Sequence, residues 1–192
     1  MSVRHALLGL LSEGPKYGLQ LRQEFEVRTG DVWPLNVGQV YTTLQRLERD
    51  GLVESDDSSA EGPQRGYRIT EAGEAELSDW LRTPPDLTSP PRDDLVIKVL
   101  IAVSLPGVDA GEVIQVHRRY VVELMQQWTR LKEDEAEFDL ALGLVVDAEL
   151  FRLDSAVRWL DAAEGRLKRA TLEGLPKVTT APVLRRRLAV RR

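Results

Sequence analysis

The chain has 192 residues and no cysteine, which excludes disulfides and thiolate metal centres and fits a reducing compartment. Its 26 basic and 31 acidic side chains leave a net charge of −5, which excludes a simple electrostatic binder of nucleic acid. No apolar run reaches the roughly eighteen residues of a membrane span, and the start, Met-Ser-Val-Arg-His-Ala-Leu-Leu-Gly-Leu-Leu, has neither the length nor the cleavage site of a signal peptide, so a cytoplasmic location and no membrane partner are expected.

A first helix is expected from a Ser2 cap, with Val3, Ala6, Leu7, Leu10 and Leu11 inward, ending at Ser12-Glu13-Gly14-Pro15. A second runs from about Lys16 or Tyr17 to Thr29, with Leu21 and Phe25 inward and Gly30 as its stop. Trp33-Pro34-Leu35 is a short extended link, because a residue before proline avoids the helical region. The third helix lies between Asn36 and Gly51. Asn36 can accept hydrogen bonds from the first backbone N–H groups, and Gly51 can take the left-handed conformation that stops a helix. Val37, Val40, Leu44 and Leu47 form its apolar face. Gln39, Thr42, Thr43, Arg46 and Arg49 lie opposite, with no carboxylate among them. Amide, hydroxyl and guanidinium groups on a helix buried on its other side are what reading the major groove requires.

A strand from Leu52 to Asp57, a turn over Ser58 to Pro63 and a returning strand from Gln64 to Ile69 make a hairpin. Thr70 caps a fourth helix, Glu71 to Leu81, with Leu77, Trp80 and Leu81 apolar. Helix, helix, helix, hairpin, helix is the order of a winged helix-turn-helix, here with a two-stranded β wing. Thr83 to Pro91 is rich in proline and marks a linker, taken as residues 83–92, between a DNA-binding domain of residues 1–82 and a helical region of residues 93–172.

The stretches Gly14-Pro15-Lys16-Tyr17-Gly18, Val40-Tyr41-Thr42-Thr43-Leu44-Gln45-Arg46-Leu47-Glu48-Arg49-Asp50-Gly51-Leu52-Val53 and Gly66-Tyr67-Arg68-Ile69-Thr70-Glu71-Ala72-Gly73 resemble the PadR family of bacterial transcriptional regulators. The resemblance covers about the first eighty residues. It implies a homodimeric repressor of double-stranded DNA, often controlled by a small aromatic or drug-like effector. Carried over, Lys16 and Tyr17 touch phosphate, Asn36, Gly38, Gln39, Tyr41, Thr42 and Thr43 enter the groove, and Arg65 and Arg68 lie on the wing. Arg46 joins the expected base readers from its place on the polar face. The wing tip, Asp56 to Glu61, is acidic, which argues against its deep insertion between phosphates. Residues 1–82 are themselves acidic, with 9 basic and 14 acidic groups. The alternative is therefore a winged-helix protein-interaction module that does not bind DNA.

The second part reads as wholly helical: Asp94 to Ser104, then Asp109 to about Glu137, then Phe138 to about Leu172. In the last, Leu142, Val146, Leu153, Ala156, Leu160 and Leu167 fall near heptad spacing. They are expected to form a dimer seam, with an antiparallel hairpin inside one chain as the competing arrangement. The whole is a mainly α protein, a winged helix-turn-helix followed by an all-helical dimerisation domain. His117, Tyr120 and Trp128 are candidates for lining an effector cavity. Residues 173–192 form a basic tail, read as flexible. The two histidines, His5 and His117, lack any metal-binding spacing. The acidic run Glu133, Asp134, Glu135 and Glu137 reads as a solvated helix end. Neither a phosphate loop nor a nucleophile motif occurs. No catalytic residue, metal or cofactor is expected.

Overall fold

The computed structural model describes residues 3–56, 65–88, 91–133 and 139–174. The chain divides into two compact units, Met1–Ser89 with Phe138–Val145, and Pro90–Glu137 with Val146–Arg192. The Ser2 cap, the wing tip from Asp57 to Gln64 and the basic tail beyond Gly174 lie outside the described residues.

The first unit runs α1 (Val3–Leu11), β1 (Lys16–Tyr17), α2 (Gly18–Arg28), α3 (Val37–Arg49), β2 (Val53–Asp56), β3 (Gly66–Ile69) and α4 (Glu71–Arg82). It is a winged helix-turn-helix with one departure from expectation. The wing strands belong to a three-stranded antiparallel sheet in the order β1-β3-β2, not to an isolated hairpin. Pro15 keeps the chain out of the helix, so Lys16 and Tyr17 stay extended and pair with Tyr67 and Gly66. The second helix accordingly starts at Gly18. Two residues are too few to show a period-two pattern, which is why the sequence did not announce this strand.

Leu7, Leu8 and Leu11 of α1, Leu21 of α2, and Val40, Leu44 and Leu47 of α3 are all at most 1% exposed and form one core with Phe25, Leu52, Val53 and Tyr67. Val37, expected inward, is 41% exposed; it sits in the first turn, before α3 meets α1 and α2. The helix ends as its glycine predicts. Gly51 has φ +73°, its N–H donates to the Glu48 carbonyl, and the N–H of Leu52 donates to that of Leu47. This paired closure satisfies the last carbonyls and turns Leu52 back into the core. Thr70 then ties that end to α4: its hydroxyl donates to the Gly51 carbonyl and accepts from the N–H of Gly73. Trp80 and Leu81, expected as apolar contacts of α4, are 44% and 69% exposed. Trp80 instead stacks on His5, with ring centroids 4.6 Å apart.

The second unit contains α5 (Asp94–Ser104), α6 (Ala110–Leu131) and most of α7 (Leu140–Leu172). Asp93, Asp109 and Asp139 each accept from two N–H groups of the first turn of the helix that follows. α6 and α7 are antiparallel in a single register, fixed by Lys132–Asp147 at 2.6 Å, Arg118–Asp161 at 2.7 Å and Gln115–Glu164 at 3.1 Å. Three of the residues expected in a dimer seam are thereby covered inside one chain. Val146, Leu153 and Leu160 are at most 2% exposed within one chain. Ala156 and Leu167 are half-buried beside them, and Leu142 packs in the first unit against Gly30. The heptad spacing was real, but a neighbouring helix of the same chain satisfies it. Apolar groups left outward include Phe151 on α7, 73% exposed, and Ile97, Leu100 and Ile101 on α5.

Candidate nucleic-acid interface

α3 exposes a face without carboxylates. Its buried residues, Val40, Leu44 and Leu47, fix the opposite side at 100° per residue. That side carries Gly38, Thr42, Gln45, Arg46 and Arg49, all exposed, with Gln39 at its edge. The side chains of Gln39, Thr42, Gln45 and Arg46 form no hydrogen bond or ion pair with other described residues. Four sets of donors and acceptors thus point to solvent from one rigid element. Gln45 was missing from the expected readers, although projecting the sequence around the helix axis would have found it.

The carboxylates of this helix are turned away. Glu48 accepts from Ser55 at 2.5 Å and pairs with Arg65 at 3.1 Å, so it faces the wing. Asp50 pairs with Arg4 at 2.6 Å and with Arg49 at 3.0 Å, and the two guanidinium groups, Arg4 first, hold its carboxyl below the usual range. The face that could meet a phosphate backbone is therefore free of negative charge, although residues 1–82 are net acidic.

The other expected contacts are placed unequally. Asn36 is exposed but its Oδ1 accepts from the Gly38 N–H at 2.8 Å, so it caps the helix. Thr43 donates to the Gln39 carbonyl at 2.7 Å and is half-buried. Tyr41 lies on the flank, packed on Gly18, where an added Cβ would come within 2.7 Å of its ring. Arg68 is exposed and pairs with Glu54 across the strands at 2.7 Å. Arg65 is drawn inward, donating to Ser55 and Glu48 and lying 5.9 Å from the Tyr67 ring centroid. Tyr17 is 51% exposed. With Lys16, Arg68 and Ser55 it lines a hollow of about 350 Å³ over the small sheet.

Lys16 contradicts its expected role at a phosphate. It is 9% exposed, with its Nζ 2.6 Å from Glu24 and 3.0 Å from Glu13. Burial pulls its pKa down, but the two carboxylates more than offset this and raise it. Arg28 completes the cluster with two hydrogen bonds to Glu13, at 2.6 and 2.5 Å. Hydrogen bonds from Arg28 and then Lys16 hold Glu13 down to about 2. The cluster pins the turn between α1 and α2, and its amine is already in use.

Of the expected effector residues, His117 and Trp128 are half-buried along the inner side of α6 and Tyr120 is 58% exposed. None of them lines the groove walled by Val99, Trp159 and Leu167 or the hollow walled by Met125, Thr129 and Val157 in the helical unit. Among the described residues no group of three or more carboxylates and histidines stands ready for a metal ion. No described helix is long and apolar enough to cross a membrane.

Comparison with known proteins gives a consistent result. The model of the transcriptional regulator PadR-like family matches residues 7–79. The probable transcriptional regulator Rv1176c of Mycobacterium tuberculosis is 30% identical over 179 residues, covering 84% of this chain and 95% of its own length. The negative transcriptional regulator PadR of Bacillus subtilis is 22% identical over 171 residues, covering 83% and 94%. The crystal structure of that PadR in complex with operator DNA superposes with a TM-score of 0.64 at 22% identity, over 86% of this chain and 99% of that one. Its complex with p-coumaric acid gives 0.67 at 22% identity, over 86% and 98%.

Proposed function

This chain belongs to the PadR-like family of transcriptional regulators, and from that premise we propose that it is a homodimeric repressor that binds operator DNA in the cytoplasm. Each copy lays α3 in the major groove of one half-site. Gln39, Thr42, Gln45 and Arg46 read base edges; Arg49, Arg68 and Tyr17 make phosphate contacts that set the register. The observation that carries this reading is the outward face of α3, with unengaged polar groups and its carboxylates turned elsewhere. A small aromatic effector releases the operator, by analogy with the relative crystallised with p-coumaric acid. Two copies need an apolar surface in common, and the outward Ile97 and Ile101 of α5 supply it.

Gel-shift titration with the DNA upstream of its own coding region tests the assignment. A bidentate base contact is worth about 1–3 kcal/mol, so Gln39→Ala and Arg46→Ala should each cost roughly ten- to a hundredfold on the operator and little on unrelated DNA. Equal affinity of wild type for both DNAs, unchanged by either substitution, would overturn it. The ion pairing of Lys16 and Arg65 favours a second reading, a protein-interaction module without DNA binding. That reading predicts no shift of any duplex at low salt, where phosphate contacts are strongest.

A further inference from the structure

A carboxylate ties the wing to the reader helix. Glu48 leaves α3 beside the sheet, and its Oε1 accepts from the Ser55 hydroxyl at 2.5 Å and from Arg65 Nη2 at 3.1 Å. Arg65 donates to the Ser55 hydroxyl as well, so the three groups close a triangle. Ser55 stands opposite Tyr67 in the ladder, and Arg65 lies two residues before Tyr67, just ahead of β3. Residues two apart along an extended chain share a face, so Ser55, Arg65 and Tyr67 are on the side of the sheet that Glu48 meets. The Tyr67 ring holds the guanidinium from another direction, with Cζ 5.9 Å from its centroid, within reach of a cation–π contact.

One side chain of α3 thus joins β2 and the foot of β3. Glu48 comes three residues after Gln45, so the two are neighbours on the helix surface, and the tie sits one turn from a base-reading group. The two wing arginines are used differently. Arg68 pairs with Glu54 on the opposite side of the sheet, and its side chain is 64% exposed. The side chain of Arg65 is 35% exposed and turned inward. A guanidinium stays charged at any working pH. One that already has a carboxylate must give up that partner before it can serve a phosphate. Phosphate contacts carry binding to any duplex, whereas base contacts carry sequence.

We propose that Glu48 is a positioning residue that sets sequence preference through Arg65: it fixes the wing against α3 and keeps one wing cation off the phosphate backbone. The assignment rests on the DNA reading above and adds to it a residue that touches no base. On an unrelated duplex the base contacts are lost and affinity comes from phosphates, so withholding Arg65 weakens that complex. On the operator, the fixed wing lets Gln45 and Arg46 reach base edges in register. Removing the carboxylate should strengthen the wrong complex and loosen the right one.

Gel shifts of the full chain between about 50 and 200 mM salt, on the duplex upstream of its coding region and on an unrelated duplex of equal length, test the role. For Glu48→Gln the slope of log affinity against log salt on the unrelated duplex should steepen by about 0.9, the increment of one phosphate contact. That slope makes the gain at the low-salt end about threefold larger than at the high-salt end. Operator affinity should not rise with it, so the preference for the operator falls. Glu48→Ala should repeat the result and supplies it if the glutamine variant does not fold. Arg65→Gln alone should keep the wild-type slope, and Arg65→Gln added to Glu48→Gln should restore it. An unchanged slope in the Glu48 variants would overturn the role, as would an equal gain on both duplexes. So would a slope that flattens in Arg65→Gln alone, which would put Arg65 on a phosphate already. A gain that survives in the double variant would reduce Glu48 to a repelling charge. Wild type that shifts neither duplex overturns the DNA reading itself. Wild type that prefers the operator, with variants that keep its slopes, overturns the role of Glu48 alone.

Discussion

The position at which sequence and structure part most sharply is Lys16. A lysine at the start of the second helix fits a phosphate contact, but the fold spends it on Glu13 and Glu24. Lys16→Met should therefore lower the melting temperature, because it removes the ammonium that Glu13 and Glu24 share and leaves Arg28 alone to offset both carboxylates, and should leave the salt slope of DNA binding unchanged. A slope that falls by about one would restore the phosphate role. The same cluster predicts an acid limb. Glu13 is held at about 2 against an ordinary value of 4.5. Its stabilising contribution is complete above pH 4.5 and disappears as pH falls toward 2. Melting curves of wild type and Glu13→Gln should differ at neutral pH and converge near pH 2; a constant offset would contradict the cause. What could not be read from the residues alone was which partner each charge finds. Lys16, Arg65 and Glu48 are surface types in any composition scale, and only the fold brings Glu48 to Ser55 and Arg65.

At the scale of elements, the helices were legible because their ends are chemically marked. Asn36 and Gly51 bracket α3, Thr70 opens α4, and Asp93 and Asp109 open α5 and α6. β1 was not legible, since it exists only through its pairing with β3. The heptads of α7 were legible as periodicity and misleading as to partner, because a spacing of seven does not say whether the facing helix is in the same chain. Gly73 shows how close packing writes itself into a motif. A Cβ there would collide with the Leu52 carbonyl oxygen and come within 2.7 Å of Ile69. Backbone cannot yield as a long side chain can, so Gly73→Ala should destabilise by about 1–3 kcal/mol. Urea unfolding with an unchanged m-value would measure it, and a midpoint equal to wild type would show that α4 is free to move off the Leu52 backbone.

At the scale of the molecule, an acidic protein meets a polyanion only if charge is sorted locally. The outward side of α3 meets that condition, with its two carboxylates tied to Arg4, Arg49 and Arg65. Two copies are needed to read a two-fold site, and Ile97 and Ile101 stand 41% and 52% exposed on α5. Ile97→Asp with Ile101→Asp should give single subunits by light scattering and lose operator binding; a dimer of full affinity would place the contact elsewhere. The most direct measurement of the whole account is selection of duplexes from a random pool by wild type and by Arg46→Ala. The account predicts that wild type enriches a pseudopalindrome whose half-sites are centred about one helical turn, ~34 Å, apart, and that Arg46→Ala loses preference at one symmetric pair of positions. Recovery of the same motif by both proteins, or of no motif by wild type, would contradict it.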